Sequence, residues 1–406
     1  MSDITLDKSG EKKLLEILEY FKKRYKKDNY FNYSDSVSLM SGISGTILLQ
    51  TLLYDTFKEK ELKREIENNI DHVITLLEEQ NNVLFSFCGG LAGVGWLFLY
   101  LNKKQVIDIE IDNFLQEIDD TLKVVLEEWL NSKLLDYLHG ALGIGIYFLK
   151  RNKFTEVKKI IASLYNFAYK EKNELKWAFS LFSEELFFDC GMAHGNCSIL
   201  AFLLKCYKRK ILPNTCYEMI ESLMNFYVNN IQDFDKIGSY FPYKISTQDY
   251  LSNKKNEVLS RIAWCYGDLS ILYTLYLSSF VTKNNNLKND ILRMLINTSK
   301  RKEHSSTFVD DACFCHGTSG IAYIYYRLFK HTQNDIFKES SIYWTNQTIL
   351  MGNNNNSGVN GYLFGFENIG NVPSLDILNG YAGIGLLLIT IYGKTDCDWD
   401  EIFLLS

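Results

Sequence analysis

The sequence predicts an all-α protein: an α/α toroid, or double barrel, of seven helical hairpins, with an inner ring of seven helices inside an outer ring of seven. Three observations carry that expectation. A short pattern, Gly-x-x-small followed by a dense apolar run, occurs seven times, with first glycines Gly42, Gly90, Gly140, Gly195, Gly267, Gly317 and Gly380. Each interval holds a helix, a connection and a second helix. Only 3 prolines interrupt 406 residues, where average usage would give roughly twenty. The first and last apolar runs are as apolar as the middle ones, whereas an open solenoid needs polar caps, so the ring is expected to close.

The inner helices are the runs themselves: SGISGTILL from Ser41, GGLAGVGWLFLYL from Gly89, HGALGIGIYFL from His139, HGNCSILAFLL from His194, YGDLSILYTLYL from Tyr266, HGTSGIAYIYY from His316 and NGYAGIGLLLI from Asn379. In the second, Leu91, Val94, Trp96, Leu97, Phe98 and Leu99 cover every side of a helical wheel, which marks a helix buried all round. Between the runs, apolar residues return at helical spacing on one face only, as in Leu14, Leu18, Phe21 and Tyr25, or Ile66, Ile70, Val73 and Leu77. Those segments are the outer helices. Residues 1–406 are expected to form one toroid domain, with a small β-containing insert over 232–261, where GSYFPYKIST mixes β-formers with Gly and Pro. Asn353 to Gly361 reads as a polar loop.

Composition narrows the function. Hydrophobic content of 47% with 23% charged residues describes a folded chain, and a net charge of -6 gives no electrostatic reason to bind nucleic acid. The polar N-terminus has no apolar signal region, and no apolar run is long enough to span a bilayer. Nine cysteines in such a chain read as reduced thiols or metal ligands in a cytoplasmic protein.

Reactive side chains gather beside the repeat glycines: Asp136 and His139, His194, Cys265, and Cys315 with His316. Any one of them alone is explained by ordinary burial. Three of 6 histidines and two of 9 cysteines at one step of different repeats are not. Seven helix N-termini converging there also favour an anion such as a thiolate or enolate. Cys265, Cys315 and His316 suit a Cys2His zinc site with its fourth position open, and Cys313 competes for a place in it. No Cys-x-x-Cys or HExxH supports a zinc finger or a zincin.

WCYG (Trp264 to Gly267), CHG (Cys315 to Gly317), GMAHG (Gly191 to Gly195) and the seven ordered repeats resemble the LanC-type lanthionine synthetase cyclases, from Ser41 to about Tyr392. The resemblance implies a zinc enzyme of lantibiotic biosynthesis that adds peptide cysteine thiols to dehydroalanine or dehydrobutyrine, closing thioether rings. By motif it implies zinc on Cys265, Cys315 and His316, and acid/base chemistry at His194 with Asp136 and Arg261. Trp264 and Tyr266 would line the pocket. His139 competes with His194 for the acid role. The implied partners are a dehydrated precursor peptide, a dehydratase and an export transporter, in a complex at the inner face of the membrane. Ser198 and Ser270 depart from the pattern, replacing the second glycine of copies four and five. Other readings are a zinc-dependent prenyl transfer to thiols, a non-catalytic thiol- or peptide-binding relative, and a metal-free glycosidase; the last leaves the cysteines unexplained.

Overall fold

Each apolar run becomes an inner helix: Ile43–Phe57, Leu91–Lys103, Ala141–Lys150, Asn196–Lys208, Asp268–Thr282, Thr318–Thr332 and Tyr381–Tyr392. The computed structural model describes residues 8–23, 36–79, 83–106, 111–180, 185–254, 257–352, 358–366 and 370–406. Tyr25 of the first outer segment and residues 353–357 of the polar loop lie outside them. Burial is continuous along the inner helices, from Ile43 to Leu53 in the first. Outer helices bury one stripe, as Asp112–Asn131 does with Leu115, Ile118, Leu122 and Leu126, and leave the other faces to charge.

Neighbouring inner helices pack against one another around a full circle, and Tyr381–Tyr392 returns to Ile43–Phe57. Six inner helices are backed by the helix that follows them: Lys60–Glu79, Asp112–Asn131, Phe154–Phe167, Pro213–Asn229, Asn285–Thr298 and Asp335–Met351. The seventh is backed by the first helix of the chain, Lys8–Phe21, which buries Leu14, Ile17, Leu18 and Phe21. The result is a closed α/α toroid.

The loops that enter the inner helices share one end of the ring and obey one step rule. The residue three before each repeat glycine is fully buried: Leu39, Phe87, Tyr137, Met192, Trp264, Phe314 and Ile377. The next residue joins the loops to one another through the backbone. Cys88 N donates to Leu138 O (3.0 Å), Met40 N to Cys88 O (3.0 Å), Leu378 N to Met40 O (3.1 Å), Cys315 N to Leu378 O (2.8 Å), Cys265 N to Cys315 O (3.2 Å) and Ala193 N to Cys265 O (3.2 Å). Six junctions are stitched this way. The glycines permit it: a Cβ on Gly90 would lie 1.9 Å from Leu84 O, and Gly267 combines φ +91° with a Cβ position 1.8 Å from Arg261 O.

Strands occur in three antiparallel pairs: Tyr169–Glu171 with Glu174–Lys176, Phe187–Asp189 with Lys244–Ser246, and Phe364–Phe366 with Gly370–Val372. The expected insert over 232–261 holds one of these strands and the short helices Phe234–Ile237 and Thr247–Leu251. Its partner strand comes from before GMAHG, so the extra element is assembled from two stretches of chain. At the other end of the lumen sits a 3-10 turn, Asp398–Phe403, followed by Leu404, Leu405 and Ser406. Inward-pointing polar groups of the inner helices hold it. Trp96 Nε1 donates to Glu401 (2.9 Å), Lys150 pairs with Glu401 (2.7 Å), Tyr323 donates to Asp400 (2.9 Å) and Arg327 pairs with Asp400.

Candidate active site and metal centre

The site lies where the loops meet above the inner-helix N-termini. Cys265 and Cys315 occupy the same step of consecutive repeats, and the bond from Cys265 N to Cys315 O sets their backbones side by side. The donor atoms of Cys265, Cys315 and His316 all lie within 4.8 Å of one another, from positions 50 residues apart in sequence. Two sulfurs and an imidazole nitrogen are donors that tetrahedral Zn2+ takes at about 2.0–2.3 Å, so the residues present fit such an ion. A hydrogen bond from the Cys315 thiol, with help from His316 and Arg261, overrides burial and holds Cys265 well below an ordinary thiol pKa. Cys315, the donor of that bond, is pushed up.

Cys313 belongs to a second cluster with Asp311 and the same His316. It is fully buried, accepts the His316 backbone N–H at 3.4 Å, and burial raises its thiol pKa well above the usual value. Asp311 places its carboxylate 3.8 Å from His316 Nε2, and also accepts from Cys313 N (2.9 Å) and Gly365 N (3.1 Å).

His194 Nδ1 lies 2.8 Å from Asp136 Oδ2, while Asp136 Oδ1 accepts the backbone N–H of His139 at 2.6 Å. Asp136 is buried. Burial pushes the His194 imidazolium toward losing its proton, but the Asp136 carboxylate outweighs that and the net pKa is raised, with Asp189 and Cys265 adding to it. His139 stacks on His194 with ring centroids 5.7 Å apart; its own pKa is lowered by burial, so the two imidazoles are shifted in opposite directions. The Asp136–His194 pair stands at the seventh junction of the ring. There, among the described residues, this side-chain bond does the joining that backbone bonds do elsewhere.

Arg261, half-buried, is the last residue of the expected insert, and its backbone N–H donates to Tyr243 Oη at 3.2 Å. Among the described residues no carboxylate lies within ion-pair distance of its guanidinium; burial works against its charge, and Cys265, Tyr243 and Cys315 outweigh burial and raise its pKa. Tyr266 faces His194, ring centroids 6.5 Å apart. Trp264 was expected beside it in the pocket, but the structure places it on the opposite side of the strand of chain: it is 0% exposed and donates Nε1–H to Phe403 O at 2.8 Å. Residues 263–266 form a run of bends closed by the Ile262–Gly267 bridge, so strict alternation fails and Trp264 and Tyr266, two residues apart, take different sides.

Asp189 was missing from the sequence expectation. It ends the strand Phe187–Asp189, accepts Gly191 N at 2.7 Å and Tyr266 Oη–H at 3.1 Å, and burial raises its pKa to about 6. Its signal was positional: Asp189, Arg261 and Asp311 each stand six residues before a repeat glycine. Among the described residues no helix is long and apolar enough to cross a membrane.

A family model described as "Lanthionine synthetase C-like protein" matches residues 2–108 and 33–404. The nisin biosynthesis protein NisC of Lactococcus lactis subsp. lactis is 22% identical over 358 residues, covering 82% of this chain and 83% of that protein. A solved structure of nisin cyclase superposes with a TM-score of 0.72 at 19% identity, over 98% of this chain and 97% of that one. It has the same toroid fold.

Proposed function

Because the chain belongs to the lanthionine synthetase C-like family, we propose that it is a zinc-dependent cyclase: it adds cysteine thiols of a dehydrated precursor peptide to dehydroalanine or dehydrobutyrine in the same peptide, forming lanthionine and methyllanthionine rings. The observation that carries this reading is the convergence of two cysteines and a histidine from separate repeats beside a carboxylate-held histidine. Cys265, Cys315 and His316 would hold the ion. Bound there, zinc would supply an open position at which a peptide thiol ionises near neutral pH, with two protein thiolates keeping that sulfur electron-rich.

The chain's own groups account for the rest. As the sulfur–carbon bond forms at the β-carbon, the electron pair of the double bond moves onto the α-carbon and its carbonyl oxygen. Arg261, without a carboxylate partner among the described residues, is placed to offset that charge. With Nδ1 committed to Asp136, His194 transfers its proton from Nε2 to the α-carbon and regains one from solvent. The raised pKa favours the imidazolium form. Tyr266, fixed by Asp189, closes one side of the site. Prenyl transfer calls for several cations to hold a diphosphate, and among the described residues Arg261 is the cation whose charge reaches both Cys265 and Cys315. The reading also implies a separate dehydratase that prepares the peptide, an exporter that removes the product, and a place for all three at the cytoplasmic face of the membrane.

Metal analysis and ring formation on a dehydrated peptide test this together. Purified protein should carry one equivalent of zinc, and Cys265→Ala and Cys315→Ala should each lose it. His194→Ala should keep the zinc yet slow cyclisation about 10²–10⁴-fold. Stoichiometric zinc in both cysteine variants would sink the ligand assignment, and unaltered ring formation would remove His194 from the mechanism.

A further inference from the structure

We propose that the segment 398–406 is the floor of the site: by filling the lumen it positions the loops that carry Asp136, Cys265 and Cys315. The inference deepens the cyclase reading and rests on it for the metal. Three contacts carry it, each made by the immediate neighbour of a site residue. Tyr137, next to Asp136, donates Oη–H to Ile402 O at 2.6 Å. Trp264, next to Cys265, donates Nε1–H to Phe403 O at 2.8 Å. Phe314, next to Cys315, stacks on Phe403 with ring centroids 4.0 Å apart. The site faces one side of these loops and the segment supports the other. Phe403 touches both loops that supply thiols, since Trp264 also packs edge-on against it at 5.2 Å.

The segment is itself fixed from below. Asp400 and Glu401 are held by Arg327 and Lys150, cations that point into the lumen. Sliding the segment out of register would strand buried charges. A close-packed stack of this kind transmits displacement instead of absorbing it, so a gap under Phe314 and Trp264 should move the sulfurs above them. Phe403 is thus a positioning residue, acting through Trp264 and Phe314.

The test is performed on full-length protein. Zinc affinity is read by competition with a chromophoric chelator, and ligand geometry by the thiolate-to-metal absorption of the cobalt-substituted protein. Phe403→Ala should weaken zinc binding about tenfold or more and shift the cobalt band, with Phe403→Leu recovering part of both. Phe337→Ala serves as the control, because Phe337 is equally buried but lies on the outer helix Asp335–Met351; it should leave affinity and spectrum unchanged. If Phe403→Ala does not fold, Trp264→Phe, which removes the N–H bonded to Phe403 O and part of the indole that packs on Phe403, should still lower zinc affinity several-fold. Wild-type affinity and spectrum in the Phe403 or Trp264 variant, or an equal loss in Phe337→Ala, overturns this inference alone. Wild-type protein that takes up neither ion overturns it together with the cyclase reading.

Discussion

The two oxygens of Asp136 do different work, and that division makes its role testable. Oδ1 caps the entering loop through His139 N, and Oδ2 faces His194. Asp376, at the same step of the last repeat, caps its loop in the same way through Asn379 N without a histidine beside it. Asp136→Asn keeps an oxygen for the cap, removes the charge and sets an amide N–H donor where Oδ2 faced His194. The carboxylate raises the His194 pKa, so the neutral amide should lower it, and the proton-donating form should then be lost at lower pH. The alkaline limb of the cyclisation pH profile, measured on a dehydrated peptide, is expected to move to lower pH; an unmoved limb would assign it to another group. Linkage has the matching sign. A raised folded-state pKa contributes stability that is complete below the pKa of an unfolded imidazole and is lost as pH rises through the folded value. His194, Cys265, Cys315 and His316 were legible because they adjoin the repeat glycines. Asp189 was not, because its bond to Tyr266 exists only once a loop folds back on the strand Phe187–Asp189. The direction of Trp264 was likewise invisible, since spacing says that a residue flanks Cys265 but not which face it takes.

At the level of elements, the repeat glycines are needed for proximity more than for unusual dihedrals. Gly90 has φ -144°, which any residue adopts, yet its missing Cβ leaves room for Leu84 O. Gly143 shows the same need one turn into the next inner helix, where a Cβ would meet Tyr137 O at 2.3 Å and the Phe87 side chain at 2.5 Å. Neighbouring Gly89 has no such contact: its Cβ would meet a Leu84 methyl at 3.3 Å. Gly90→Ala should therefore destabilise by about 1–3 kcal/mol, the usual cost of overpacking, whereas Gly89→Ala should stay within about 0.5 kcal/mol of the parent. Denaturant midpoints on the two variants decide it, and equal effects would refute the close-approach account. Inner helices were readable because burial on all sides leaves a dense apolar run. The extra element was half readable: Pro242 and its β-forming neighbours marked Lys244–Ser246, but its partner Phe187–Asp189 lies more than fifty residues earlier and shows no turn signal joining them. Nothing local marked the Asp398–Phe403 turn, whose place depends on Trp96, Lys150 and Arg327 from three distant helices.

Closure makes the whole molecule differ from a chain of hairpins. The first amphipathic segment was legible as a helix from Leu14, Leu18 and Phe21, but its partner, the last inner helix, is at the opposite end of the sequence. Phe21 is fully buried, stacks on Tyr381 with centroids 6.0 Å apart, and accepts Gln50 Nε2–H on its carbonyl at 3.1 Å. It thus binds the last inner helix to the first. Phe21→Ala should cost about 3–5 kcal/mol. Where that loss is felt distinguishes a ring from an open array. In an array, a terminal unit frays alone and distant units keep their stability. In a closed ring every unit has two neighbours, so opening the seam weakens the cooperative whole. The slowest-exchanging amides of Phe154–Phe167, three units away from the seam, should then lose protection by about the same 10²–10³-fold factor as those of Tyr381–Tyr392, since 1.4 kcal/mol corresponds to tenfold. Hydrogen exchange by mass spectrometry reads both helices in one experiment. Loss confined to Lys8–Phe21 and Tyr381–Tyr392 would mean that the units stand independently and that residues 1–406 do not behave as one domain.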